Sequence, residues 1–167
     1  RRRPDLCTSD AKMVDVINHS LRYMEECGIE VGILFLLQPN SSIRLISKAE
    51  EAISIMRNTN CDSVVSLVEV DHFHPNRMEK LISDMGVSYA EKEAENVHLE
   101  DLSQAYHRDG SIYGMRVNLP LGKRTIYGED VREIVNDVKW FVNIDTERDW
   151  EIAKILVENY NTNKQQL

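Results

Sequence analysis

The sequence predicts an α/β fold built on a mostly parallel sheet. Residues 31–37 form a run that is apolar on both faces, the character of a strand covered from two sides. Helical periodicity precedes and follows that run, and a second apolar strand at residues 63–70 comes after the second helix. Alternation of this kind makes right-handed crossovers, which place parallel strands inside and helices outside.

Composition agrees with one globular domain. The chain has 167 residues, 42% hydrophobic and 29% charged, enough to bury a core without disulfides or metal. Twenty Lys+Arg against 28 Asp+Glu give a net charge of -8, which argues against a general nucleic-acid or anionic-membrane binder. The three cysteines, Cys7, Cys27 and Cys61, have no CxxC spacing and signal neither a disulfide framework nor a zinc site. No apolar run approaches the ~20 residues that span a bilayer, and no signal peptide is visible. The expected setting is soluble and intracellular, cytoplasmic or nuclear. The chain opens Arg1-Arg2-Arg3-Pro4 without a Met, and these three arginines read as part of a longer protein rather than as a nucleic-acid arm.

Each element follows from its own signals. Ser9 and Asp10 offer an N-cap, Met13, Val14, Ile17, Leu21 and Met24 form one apolar stripe, and Gly28 closes the first helix. Pro39 and short polar residues end the first strand, so residues 38–44 are a loop at its carboxyl end. Ser47 to Glu50 reads as a capping box, with Ala49, Ala52, Ile53 and Met56 as the second helix's core stripe. A short helix is expected at 75–83 and an exposed acidic excursion at 91–101. A strand is expected at 111–117, a loop at 120–128, and two further strands at 131–135 and 138–144. Thr146 caps a last helix carrying Trp150, Ile152, Ala153, Leu156 and Val157, and a polar tail frays from Asn161.

In an open α/β sheet, ligands bind outside the carboxyl ends of the strands. Two loops qualify, residues 38–44 and 143–146. If their strands are parallel, the loops share a rim despite the sequence gap. One offers amide, hydroxyl and guanidinium donors; the other offers a carboxylate beside a helix start. Such donors suit a polar anionic ligand, and a carboxylate beside phosphate suits Mg²⁺. The residues themselves point to a polar-ligand site and to no particular reaction.

Leu36-Leu37-Gln38-Pro39-Asn40-Ser41-Ser42-Ile43-Arg44 resembles the LQPTSPLR signature of the acylneuraminate cytidylyltransferases, the CMP-sialic acid synthetases. Four more stretches resemble that family in the same order. They are Arg3-Pro4-Asp5-Leu6 with Val16 to His19, the pair His74-Pro75, Arg108 to Tyr113 (the family's R-N-G-A-I-Y), and Val142 to Thr146 with Asp149-Trp150 (its V-D-I-D-T-x-x-D-W). The resemblance implies a three-layer Rossmann-like nucleotidyltransferase of the nucleotide-diphospho-sugar transferase type, forming homodimers. It implies a single cytidylyltransferase-like domain over 1–160, a dimerisation excursion over about 87–135, and a polar tail at 161–167. The implied reaction moves CMP from CTP to an acidic nine-carbon sugar and releases pyrophosphate, with Mg²⁺ as cofactor. By position, Asp145 and Arg108 would be catalytic. Gln38, Pro39, Asn40, Ser41, Arg44 and Asp109 would bind substrate, and Asp145 with Asn143 would hold the metal.

The chain departs from the family at three places. The family's strand and Gly-, Lys- and Arg-rich phosphate loop lie ahead of the residues matched by Arg3, so the fold is expected to be N-terminally incomplete and the chain inactive alone and poorly stable. Asn143 stands where the family has its first metal Asp. Leu99-Glu100-Asp101-Leu102-Ser103 stands where the family has R-Q-D-L-P. Two alternatives therefore stay open: a sugar- or nucleotide-binding relative without catalysis, and a structural dimer partner of a complete subunit. For single residues, Asp145 also reads as a helix-terminus carboxylate, and Arg108 as an ion-pair partner of nearby acids. His72 and His74 have chelating spacing but no third ligand.

Overall fold

The computed structural model describes residues 2–70, 72–90 and 97–164. In chain order the described residues form α1 (Met13–Glu26), β1 (Ile33–Leu36), α2 (Ile46–Asn58), then five successive strands, β2 (Ser63–Val70), β3 (Glu79–Ile82), β4 (Met85–Ser88), β5 (Ala105–Arg116) and β6 (Val131–Asn136), and finally α3 (Glu147–Lys164). Four strands make one sheet in the order β1-β5-β2-β6, and β3 and β4 make a separate hairpin. The α/β class holds. The mostly parallel sheet does not: β5 runs antiparallel to both β1 and β2, and the β2–β6 pairing alone is parallel. The apolar run around β1 correctly marked a strand covered on both faces, but such a pattern records burial and says nothing about the direction of the neighbouring strand.

Helices cover both faces. On one side Ile17 and Leu21 of α1 pack with Val65, Tyr113 and Met115. On the other, Ala52 and Met56 of α2 pack with Val64, Ile112 and Ile134. Neighbouring residues of β2 and β5 thus enter opposite cores, as the period of two requires. Arg116 joins strand to helix: its guanidinium donates to the carbonyls of Met56 (2.9 Å), Thr59 (2.8 Å) and Cys61 (2.9 Å), satisfying acceptors that the end of α2 leaves open.

Several local expectations are corrected. Helix α1 begins after Lys12, with no side-chain cap from Ser9 or Asp10, although Gly28 does take a left-handed φ of 74° beyond its end. Helix α2 begins after Leu45, which leaves Ser47 inside the first turn instead of at the cap. The helix expected at 75–83 is a 3₁₀ turn, Pro75–Arg77, followed by β3. The strand expected at 138–144 is a 3₁₀ turn, Val138–Trp140, because Asp137 accepts from the Lys139 amide (3.0 Å) and caps it. The loop after Pro120 contains a π-helical turn, Leu119–Lys123. The polar end from Asn161 continues α3 as far as Lys164, and residues 165–167 lie outside the described part, as do 91–96 of the acidic excursion. Among the described residues no helix is long and apolar enough to cross a membrane.

The strand expected at 111–117 is longer and starts at Ala105. Its first half was hidden by a bulge. Register passes from Val65↔Tyr113 to Leu67↔Arg108, so residues 109–112 of β5 stand opposite Ser66 alone. Gly110, at φ 77°, makes the bend.

Candidate functional site

The two turns singled out from sequence meet. Thr146 caps α3 reciprocally with Asp149: the Thr146 N–H and Oγ1 donate to the Asp149 carboxylate (2.9 and 2.8 Å), and the Asp149 N–H reaches Thr146 Oγ1 at 3.3 Å. That fixes where the chain before the helix points. Ahead of it, Asn143 forms an isolated antiparallel bridge with Ser41, and the Ile144 N–H donates to Asn40 O (2.9 Å). Asn40 Nδ2 then donates to Asp145 Oδ1 at 3.0 Å. The junction is a backbone bridge between an irregular segment and the loop after β1, and no parallel strand carries residues 143–146 to the rim.

Below the bridge sits the bulge. A Cβ on Gly110 would lie 2.5 Å from Gln38 Oε1 and 3.6 Å from the Asn143 amide atoms, so both side chains rest on a bare Cα. Asn143 Oδ1 is buried and has no hydrogen-bond partner, and Ser42 Oγ shares that condition. Gln38, Asn40, Ser41, Asn143 and Asp145 are therefore brought together; Pro39 is an exposed residue of the same loop.

Arg44, Asp109 and Arg108 are placed differently from what the resemblance implies. Arg44 turns inward: Nε donates to Ser111 O (2.9 Å) and Nη2 donates to Gln38 O, clamping the loop to β5. Burial pushes its guanidinium below the ordinary value, while the Asp109 charge pulls it up. Asp109 is only 2% exposed, and Ser66 Oγ, the Ser111 N–H (3.0 Å), Ser111 Oγ (3.1 Å) and Asn136 Nδ2 all donate to its carboxylate. It supports the floor of the site. The crevice beside it, lined by Ser41, Asn136, Asp137, Trp140 and Phe141 among others, holds about 10 Å³, room for roughly one water. Arg108 lies over the Tyr127 ring at 4.2 Å, on the α1 side of the sheet, and not against the two turns. It makes a cation–π contact where an ion pair with a nearby acid was the alternative.

His74 is a framework residue. Nε2 lies 2.9 Å from Ser103 O and Nδ1 accepts from the Asn76 N–H at 3.3 Å, so both ring nitrogens are engaged. Sequence reasoning missed the buried quartet of Ser66, Asp109, Ser111 and Asn136. The signal for it, Asp-Gly inside a strand pattern, marks a bulge only once the strand is known to extend back to Ala105.

The donors can be tested against the expected Mg²⁺. Among the described residues no three His, Cys, Asp or Glu side chains converge as a cage. Asp145 is an exposed carboxylate on an open hollow of about 430 Å³ that Thr146, Glu147 and Trp150 also line. Asn143 Oδ1, also without a partner, is buried beside Gly110 and does not line that hollow. One exposed carboxylate fits an ion that arrives with a phosphate ligand, a usual manner for Mg²⁺. No protein-family model and no curated protein matches this sequence.

Proposed function

We propose that this chain carries the sugar- and metal-side half of a cytidylyltransferase site, which transfers CMP from CTP to an acidic nine-carbon sugar with release of pyrophosphate. The observation that supports this reading most is the Asn40–Asp145 hydrogen bond at 3.0 Å. It joins the two stretches with the most specific family resemblance, 105 residues apart. In this reading Gln38 donates to and accepts from the sugar's polar groups. Asn40 orients Asp145, and Asp145 would hold Mg²⁺. When bound there, the ion supplies charge neutralisation of the phosphates and of the leaving pyrophosphate. Two molecules of the chain would form the functional unit.

The test is pyrophosphate release by the longest in-frame product containing this chain, with CTP, Mg²⁺ and a panel of sialic, legionaminic, pseudaminic and Kdo-type sugars. Turnover that falls at least tenfold in Asp145→Asn supports the reading; absence of turnover across the whole panel removes it.

A second reading, a sugar- or nucleotide-binding relative without catalysis, has one observation in its favour. Position 143 holds a neutral amide with a buried, unpartnered oxygen where a second carboxylate is expected. If the unaltered protein is inactive but binds CTP, and Asn143→Asp creates turnover, the second reading replaces the first.

A further inference from the structure

Ser41 is the one buried residue of the 38–44 loop, at 5% exposed. Its backbone is accounted for, since the N–H donates to Gln38 O (3.3 Å) and the residue forms the bridge with Asn143. Its hydroxyl is not. Among the described residues Ser41 Oγ makes no hydrogen bond, a condition that buried hydroxyls rarely keep. Ser41 borders the crevice beside Asp109, with Asn136, Asp137, Trp140 and Phe141. That crevice holds about 10 Å³, at the ~10–15 Å³ that one water requires.

Two further oxygens belong to residues on the same crevice. Asp109 Oδ1 accepts from Ser66 Oγ and from the Ser111 N–H (3.0 Å). Oδ2 accepts from Asn136 Nδ2 and shares the Ser111 hydroxyl (3.1 Å) with Oδ1. A carboxylate oxygen accepts about two hydrogen bonds, so Oδ2 keeps a place for one more donor. Asn136 spends Nδ2 on Asp109 and on Ser111 Oγ (2.9 Å), and its Oδ1 makes no hydrogen bond among the described residues. The crevice therefore needs a molecule that accepts once and donates twice.

We propose that this crevice binds one ordered water and that, through it, Ser41 is a positioning residue. The water accepts from Ser41 Oγ and donates to Asp109 Oδ2 and Asn136 Oδ1, which ties the 38–44 loop to the floor made by the bulge. That loop carries Gln38, packed on the bare Cα of Gly110, and Asn40, which donates to Asp145 at 3.0 Å. One tether thus steadies both side chains. Ser41 acts through the loop, in place of the direct substrate contact that the resemblance implies. The water site stands apart from the cytidylyltransferase reading, and only its effect on turnover rests on that reading.

High-resolution crystal structures of the parent and of Ser41→Ala test the site. In the parent one water is expected at ~2.5–3.0 Å from Ser41 Oγ, Asp109 Oδ2 and Asn136 Oδ1. In Ser41→Ala that water is lost and the Gln38 and Asn40 side chains shift. A dry crevice in the parent, or a Ser41 hydroxyl bonded directly to protein, overturns the proposal. In the pyrophosphate-release assay Ser41→Ala should raise the sugar KM roughly threefold to tenfold at unchanged kcat, the worth of one neutral hydrogen bond. A raised KM with the loop unmoved means that Ser41 touches the sugar and overturns the positioning role, as does an unchanged KM. A parent without turnover removes the cytidylyltransferase reading, and the two crystal structures still decide the water site.

Discussion

Replacing Asp109 with Ala tests the idea that a buried carboxylate holds up the floor of the two-turn site. The side chain collects the Ser66 and Ser111 hydroxyls, the Ser111 N–H and the Asn136 amide. Without it the two hydroxyls can turn their single protons to other acceptors, since Ser111 Oγ lies 2.9 Å from Ser66 Oγ and Ser66 Oγ lies 3.1 Å from Ile112 O. The Asn136 amide keeps Ser111 Oγ as an acceptor at 2.9 Å, so the Ser111 N–H alone has no such alternative. A buried donor left without an acceptor costs ~1–3 kcal/mol, so the loss is about 2 kcal/mol. The relief of burying one charge less works against this. The variant Asp109→Asn separates the two contributions. It keeps the volume and one acceptor, removes the charge, and should cost ~1–2 kcal/mol. Urea unfolding with an unchanged slope is the assay, since a domain of this size has only ~5–15 kcal/mol to lose. Asp109→Ala within 1 kcal/mol of the parent, or Asp109→Asn more stable than the parent, would refute the reasoning. The first outcome would mean the Ser111 N–H finds water; the second, that the buried charge costs more than its hydrogen bonds return.

Other consequences follow from the same geometry. Gly110→Ala forces a side chain into φ 77° and a Cβ to 2.5 Å from Gln38 Oε1; it should cost ~1–2 kcal/mol and move the Gln38 side-chain amide resonances. Arg116→Ala strips three carbonyls of their donor and should lower stability by about 2–3 kcal/mol in denaturant. Arg116→Lys should recover less than half, because an ammonium cannot reproduce the fork. Asp149 and Asp62 both titrate below the usual aspartate value of 3.8. For Asp149 the main cause is the Thr146 hydroxyl; for Asp62 it is the Glu129 N–H, followed by the Asp130 N–H. A depressed carboxyl contributes stability that is complete above its unfolded value and lost as pH falls through the folded one. The chain should therefore weaken below about pH 4, and Asp149→Asn and Asp62→Asn should each flatten that acid limb in pH-dependent melts.

Much of the fold was legible because burial writes itself into sequence. Strand β2 runs from Ser63 to Val70 as expected, and β6 extends one residue beyond the expected 131–135. Where a local hydrogen bond competes with burial, the pattern misleads. Val138 to Ile144 is rich in strand-forming residues, yet the Asp137 cap winds its start into a 3₁₀ turn. The hairpin stayed hidden because Ser83-Asp84 supplies its turn without a glycine, and because one face is apolar without being buried. At the site, the meeting of residues 38–44 with 143–146 was anticipated for a reason the sheet does not provide. The bridge between Ser41 and Asn143 depends on backbone geometry, which no single residue type announces.

The placement of the cations bears directly on what the site can bind. An acidic sugar and a triphosphate are strongly anionic, and the chain itself carries -8. Of the two arginines expected to meet them, Arg44 spends its guanidinium on backbone carbonyls and Arg108 lies against Tyr127. The two turns thus present amides and one exposed carboxylate, Asp145, whose charge repels phosphate. Under the cytidylyltransferase reading, Asp145 turns from liability to support only when a divalent cation accompanies the nucleotide. Calorimetric titration with CTP should accordingly give at least tenfold tighter binding with Mg²⁺ than with EDTA, and Asp145→Asn should shrink that ratio by weakening the Mg²⁺ arm while improving the EDTA arm. Equal affinity in the two arms would mean that cations elsewhere on the chain neutralise the phosphates and that Asp145 is only part of the α3 terminus. The opposite signs expected for the two arms distinguish a ligand carboxylate from a structural one, because loss of a structural group would weaken both.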